Sequence, residues 1–194
     1  MKSITHLLSR SADFLGDRRG IAAVEFAFIV PLMLVLFFGT LEFSQGIAVS
    51  RKVTIMARTL SDLTSQNISV SSTQLNNFFT ASKAILTPYD NSPVQSTISE
   101  LYVDPTTKVA RVQWSVGSAP RAQKSTVTIP TQLQVGGTYL IFSEVSYLYV
   151  PTIGYVMSKS GLNLSDVAYT RPRQSTCVIY PAPTSGVMPA CPTL

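Results

Sequence analysis

The most chemically pointed residue in this sequence is an acid in the wrong solvent. Residues 21–41 read IAAVEFAFIVPLMLVLFFGTL, and Glu25 is the single charge in that run. A carboxylate within a bilayer is costly and is found there with a partner or a task. Two readings stand. On the first, Glu25 lies only a few residues into the run and is wetted at headgroup level. On the second, Gly20 and Glu25 act as a pair. Cutting the chain after Gly20 makes Ile21 a new N-terminus, and its α-ammonium on a neighbouring subunit is a natural counter-ion for Glu25. Packed helices would then be registered by charge as well as by apolar contact.

Other chemistry is sparse. Cys177 and Cys191 flank a stretch holding Pro181, Pro183 and Pro189. In an oxidising compartment, a bridge over about 15 residues adds roughly 3 kcal/mol by restricting the unfolded chain; two unpaired thiols are the alternative. The lone histidine, His6, lies in the leader, so neither metal-ligand spacing nor a His-dependent nucleophile is expected beyond the apolar run. Asp90 and Asp104 sit in turn-like contexts. Glu100 and Glu144 sit in strand-like ones, where alternate positions face water, so no acid–base pair is expected. Gly136, Gly137 and Gly154 match no phosphate-loop pattern. Trp114, Tyr139, Tyr147, Tyr149 and Tyr155 read as sheet packing rather than a sugar platform. Arg171 and Arg173 read as surface charges, and no basic tract suggests nucleic acid. The expectation is a protein that is not an enzyme, with no cofactor, metal or small-molecule substrate.

The elements that position these residues can be read from hydrophobic pattern. Charged residues make up only 13 % of the 194 residues, against roughly 25 % in a typical soluble protein. As a helix, the apolar run is about 30 Å long, enough to cross a bilayer core. Arg10, Arg18 and Arg19 precede it while Arg51, Lys52 and Arg58 follow, so charge bias alone does not settle orientation; a cytoplasmic N-terminus is favoured. A cleaved secretory signal, with a mature start near residue 49, is the rival. The long leader, Pro31 in mid-run and Glu25 all count against it.

Beyond the run, Val49, Val53, Met56, Leu60 and Leu63 continue at helical spacing, with a break at Ser65, Gln66 and Asn67. Residues 72–86 suggest a second helix burying Leu75, Phe78, Phe79 and Ile85, stopped by Pro88. Residues 98–103 and 109–116 then form a hairpin about Asp104, Pro105 and Thr106. A short extended piece at 127–129, a strand at 138–150 and a last one near 166–170 follow, before an irregular tail. Residues 66–73 are the nearest thing to a linker. The expected class is α+β: a cytoplasmic leader (1–20), a transmembrane helix (21–42), its periplasmic extension (43–66) and a small domain with an antiparallel sheet (67–194).

The string RRGIAAVEFAFIVPLMLVLFFGTLEF resembles the opening of the TadE/TadG-like proteins of tight-adherence (Flp) pilus systems. These carry a glycine, then Val-Glu-Phe, then an apolar helix with an early proline. The resemblance covers roughly residues 18–43, with Val24, Phe26 and Pro31 completing the match. It implies that a prepilin peptidase cuts after Gly20, that Ile21 becomes the mature N-terminus, and that Glu25 is the assembly glutamate of a pseudopilin. The domain is small for a TadG-type member, so a TadE-like role fits better. Implied too are a pilin-like layout and a single-pass inner-membrane location with a periplasmic domain. The implied partners are pilin and other minor pilin-like subunits. The alternative is an uncleaved, anchored scaffold that contacts pilus or secretion-channel subunits.

Overall fold

The computed structural model describes residues 19–151, 161–185 and 187–193. The leader through Arg18, with His6, and the stretch holding Gly154 and Tyr155 lie outside the described residues.

Helix α1, Arg19–Ser65, runs unbroken for 47 residues, about 70 Å at the usual rise. Its first half is exposed all round. Burial begins at Glu42 and Gly46 and continues through Val49, Val53, Met56, Ala57, Leu60, Ser61 and Thr64. Leu63, expected on the buried stripe, is only half-buried. The buried face is turned toward the small residues Ala57, Ser61 and Thr64, because these let the helix approach the sheet closely. Ser143 donates its hydroxyl to the Ala57 carbonyl at 2.6 Å, and Ser61 bonds Thr170 Oγ1 at 2.6 Å. The helix ends where Asn67 turns its side chain back onto the Leu63 carbonyl at 2.7 Å, supplying a donor to an otherwise unpaired group.

Helix α2, Ser72–Lys83, opens with a capping box: Ser71 Oγ accepts from Gln74 N–H, and Gln74 Oε1 accepts from Ser71 N–H. A 3-10 turn, Ala84–Leu86, follows. Leu75, Ser82 and Leu86 are buried, whereas Phe78, Phe79 and Ile85 are half-buried. The linker-like stretch 66–73 is docked rather than loose. Val70 is buried and hydrogen-bonds the C-terminal tail at Ile179 and Ala182.

Five strands form one antiparallel sheet: β1 Val94–Val103, β2 Ala110–Gly117, β3 Thr126–Val127, β4 Tyr139–Tyr149 and β5 Leu162–Thr170. Their order is β3-β2-β1-β4-β5. Strand β1 begins at Val94 rather than Ile98. Its polar Gln95, Ser96 and Thr97 are held in strand by pairing with β4, and Thr97 pairs on its other side with Gly117. Strand β5 likewise begins four residues before Asp166, along β4. At the hairpin turn, Asp104 Oδ1 accepts the N–H groups of Thr106 and Thr107, both at 2.8 Å. One face of the sheet packs α1 through Val94, Ile141, Val145, Tyr147 and Ala168. On the other face, Val127 and Ile129 cover Leu101, Val112, Leu140 and Phe142. The whole is α+β, a long helix laid against a small antiparallel sheet.

Candidate functional site

The residues singled out in sequence lie on the bare half of α1. Gly20, Ile21, Glu25, Phe26 and Pro31 are all exposed, and none of the most apolar window of this helix is covered by the rest of the chain. Such an all-round apolar helix is stable only in an apolar solvent or against other helices. Ile21 and Glu25 are four residues apart, so they share one face, a turn from each other. Gly20 is helical, and a Cβ placed on it meets nothing within 4 Å. Packing among the described residues therefore does not ask for glycine there, although glycine in a helix costs about 1 kcal/mol relative to alanine. Pro31 lies inside the helix and leaves the Ala27 carbonyl without its usual donor. Thr40 satisfies its own hydroxyl by donating to the Leu36 carbonyl at 2.8 Å.

A second polar site lies inside the domain, where sequence reasoning placed none. Glu100 was expected on a strand position open to water; instead it is fully buried. A bulge in the β1–β2 pairing sets it opposite Trp114. Its Oε2 accepts from Trp114 Nε1 at 3.0 Å and its Oε1 from Val178 N–H at 2.6 Å, while the same indole N–H also reaches the Val178 carbonyl at 2.8 Å. Burial pushes the carboxyl up to about 8 from an ordinary 4.5, against the opposing pull of the Val178 and Trp114 donors. The parity of β1 carried the missed signal: Glu100 shares a face with Val94, Ile98 and Tyr102, all buried.

This carboxyl ties the C-terminal tail to the sheet. Val178 is fully buried beside it, and Cys177 is bonded to Cys191. Upstream, Arg173 donates its N–H to the Ser65 carbonyl at the end of α1 and its guanidinium pairs with Asp62. Residues 177–179 of the irregular tail are therefore part of the core, while Arg173 is a surface charge that pairs with Asp62.

Asp90, Asp104, Arg121 and Glu144 lie at or near the surface. Ser92 holds Asp90 below the usual carboxylate range, and the Thr107 and Thr106 N–H groups do the same for Asp104. Arg121 grips Glu144 with two bonds of 2.6 Å on the sheet face away from α1, at the edge of an open trough of about 450 Å³ lined also by Gln95, Thr97, Val145 and Val167. Trp114, Tyr139, Tyr147 and Tyr149 are all buried in the core. Among the described residues, no three or more His, Cys, Asp or Glu side chains are grouped as metal ligands would be.

Comparison with curated proteins returned no match, and neither did comparison with solved structures. A family model does match, that of the TadE-like proteins, over residues 20–60. That segment begins at Gly20, takes in Glu25 and Pro31, and ends where α1 is already buried against the sheet. Over these residues the chain is similar to the TadE-like proteins, which suggests involvement in a tight-adherence pilus system, and α1 is long and apolar enough to serve as a single-pass membrane anchor.

Proposed function

We propose that this chain is a minor pilin-like, or pseudopilin, component needed to assemble tight-adherence (Flp-type IVb) pili. It sits in the inner membrane with its leader in the cytoplasm and its domain in the periplasm. A prepilin peptidase cuts between Gly20 and Ile21. The new α-ammonium of Ile21 pairs with Glu25 of an adjacent helix, and α1 joins or primes the growing bundle. The protein works by assembly with pilin and minor pilin-like subunits, not by catalysis.

The observation that carries this reading is the contrast along α1. The half beyond Gly46 packs one face into the domain core, whereas the half holding Gly20, Glu25 and Pro31 makes no use of its apolar surface among the described residues. A glycine that the fold does not require, one turn before an acid that the bilayer penalises, fits an external peptidase and an external partner.

Intact-mass measurement of the protein from its native host is the test. A mature chain starting at Ile21 is expected, together with loss of pili but normal protein abundance in Glu25→Ala. Chains that all retain the Gly20–Ile21 bond, with pili indifferent to Glu25→Ala, would instead point to an uncleaved scaffold.

A further inference from the structure

We infer that the membrane-proximal end of the domain is itself a lipid-contacting surface, so that the domain rests on the bilayer rather than standing clear of it. The proposal rests on α1 being the membrane anchor and adds a second contact.

Two molecular rulers place this end. Ser61 Oγ meets the Ile141 carbonyl at 3.4 Å, Ser143 Oγ meets the Ala57 carbonyl, and the Tyr149 ring comes within 3.7 Å of where a Cβ on Gly46 would stand. Strand β4 thus descends alongside α1 toward the membrane. From Ser61 to Gly46 the helix falls about 22 Å, and from Ile141 to Tyr149 the strand falls about 26 Å. The agreement means that the two run nearly antiparallel, so Val150, one residue further, is about level with the turn holding Phe43 and Ile47.

Among the described residues that level is apolar and uncovered. Phe43 is 64 % exposed, Ile47 42 %, Leu148 44 %, Val150 54 % and Leu162 46 %. A Cβ on Gly161 would sit 3.0 Å from Leu148 and 3.2 Å from Val150, so these two are contiguous on the sheet face away from α1, while Leu162, opposite Tyr149, carries the patch round the sheet end to the α1 face. Phe43 and Ile47, four apart on α1, share one flank of it.

The bilayer identifies the occupant, because the collar continues the span. The apolar run ends at Leu41, and Phe43 to Ile47 stand about 3 to 9 Å above it. The headgroup zone of one leaflet is roughly 5 to 8 Å deep. Side chains at that height are already in the interface, where apolar and aromatic groups lower their free energy by insertion.

Tryptophan scanning of the full chain in phosphatidylcholine vesicles tests this, with lipids brominated either at mid-chain or near the glycerol. Trp114, the single native tryptophan, is buried and gives a constant background. Four probes are added singly. Leu34→Trp reports the anchor, Val150→Trp the collar, and Val135→Trp, exposed near the other end of β4, the control. The expected result is quenching of Leu34→Trp by mid-chain bromine and of Val150→Trp by shallow bromine, with a blue shift, while Val135→Trp matches the native protein. Leu162→Trp should repeat the Val150→Trp result. Quenching at residue 34 with none at 150 or 162 overturns the collar and leaves the anchor standing. A blue shift at 150 that follows protein density and ignores bromine means that a second copy covers the patch, and also overturns it. No quenching at 34 removes the anchor, and the collar with it.

Discussion

The domain should lose stability as pH rises from acid to neutral, and Glu100→Gln should abolish that loss. Glu100 is fully buried, and its carboxyl is pushed from 4.5 to about 8 in the folded protein. Because the folded value lies above the unfolded one, the contribution is fully present below about pH 4.5. It is lost as pH climbs to about 8, where the unfolded chain releases a proton that the folded chain keeps. At about 1.4 kcal/mol per unit, the loss has a ceiling of roughly 5 kcal/mol. Glutamine cannot ionise. Its carbonyl can still accept the Val178 N–H, but its amide N–H₂ then faces the Trp114 indole N–H, donor against donor, for about 1–3 kcal/mol. The native protein should therefore be the more stable at pH 5 and the variant the more stable at pH 8.5. Urea unfolding of the detergent-solubilised full chain, followed by Trp114 emission from pH 4.5 to 8.5, reads both curves. Every other titrating group is common to the two proteins, so the difference in slope belongs to Glu100. A native stability that is flat or rises over this window, or equal slopes in both proteins, would refute the reasoning.

Three further outcomes follow from the same packing. Replacing Cys177 and Cys191 together by serine frees the tail loop and should cost about 3 kcal/mol by the loop-entropy relation, read as a lower urea midpoint; equal midpoints would show that the docked tail holds without the bridge. Gly117→Ala forces a Cβ to 2.3 Å from the Ser96 carbonyl oxygen and 2.5 Å from Thr97 Cα at φ +146°, so a loss of about 2–4 kcal/mol is expected in thermal unfolding. Ser71→Ala removes the cap of α2 and should cost about 1 kcal/mol, whereas Arg121→Ala, at a partly exposed pair, should cost less than about 1 kcal/mol. An Arg121 effect larger than that of Ser71 would mean the trough is structurally tighter than its exposure indicates.

Much of the fold was legible because periodicity reports burial. Val49 to Leu60 kept helical spacing, and the hairpin about Asp104 kept alternation and turn chemistry. What escaped was structure held by partners far along the chain. The polar start of β1 and the Leu162 end of β5 are strands because β4 pairs with them, which no local propensity reveals. Ser61 and Thr64 were invisible to an apolar stripe, although their size is what brings helix and sheet together. Residues 66–73 and the proline-rich tail each looked irregular, and they are ordered by hydrogen-bonding each other. Glu100 was misjudged because its charge was weighed and its parity was not. Gly20, Glu25 and Pro31 stand out for a different reason: a glycine, an acid and a proline are each costly within a long apolar helix, so no tertiary contact is needed to single them out.

The division of α1 also decides what a Glu25 phenotype means. Glu25 and Val49, where full burial against the sheet is established, lie about 36 Å apart along the helix. Substitutions at exposed positions away from packed features usually change stability by no more than about 0.5 kcal/mol. Glu25 is exposed and far from the core, so Glu25→Ala should leave the stability of the domain to urea unchanged within about 0.5 kcal/mol. If pili vanish while that stability holds, the defect lies between helices and not within the chain. If the stability falls as well, the two halves of α1 are coupled through the bilayer, and loss of pili would no longer separate an assembly role from a folding one.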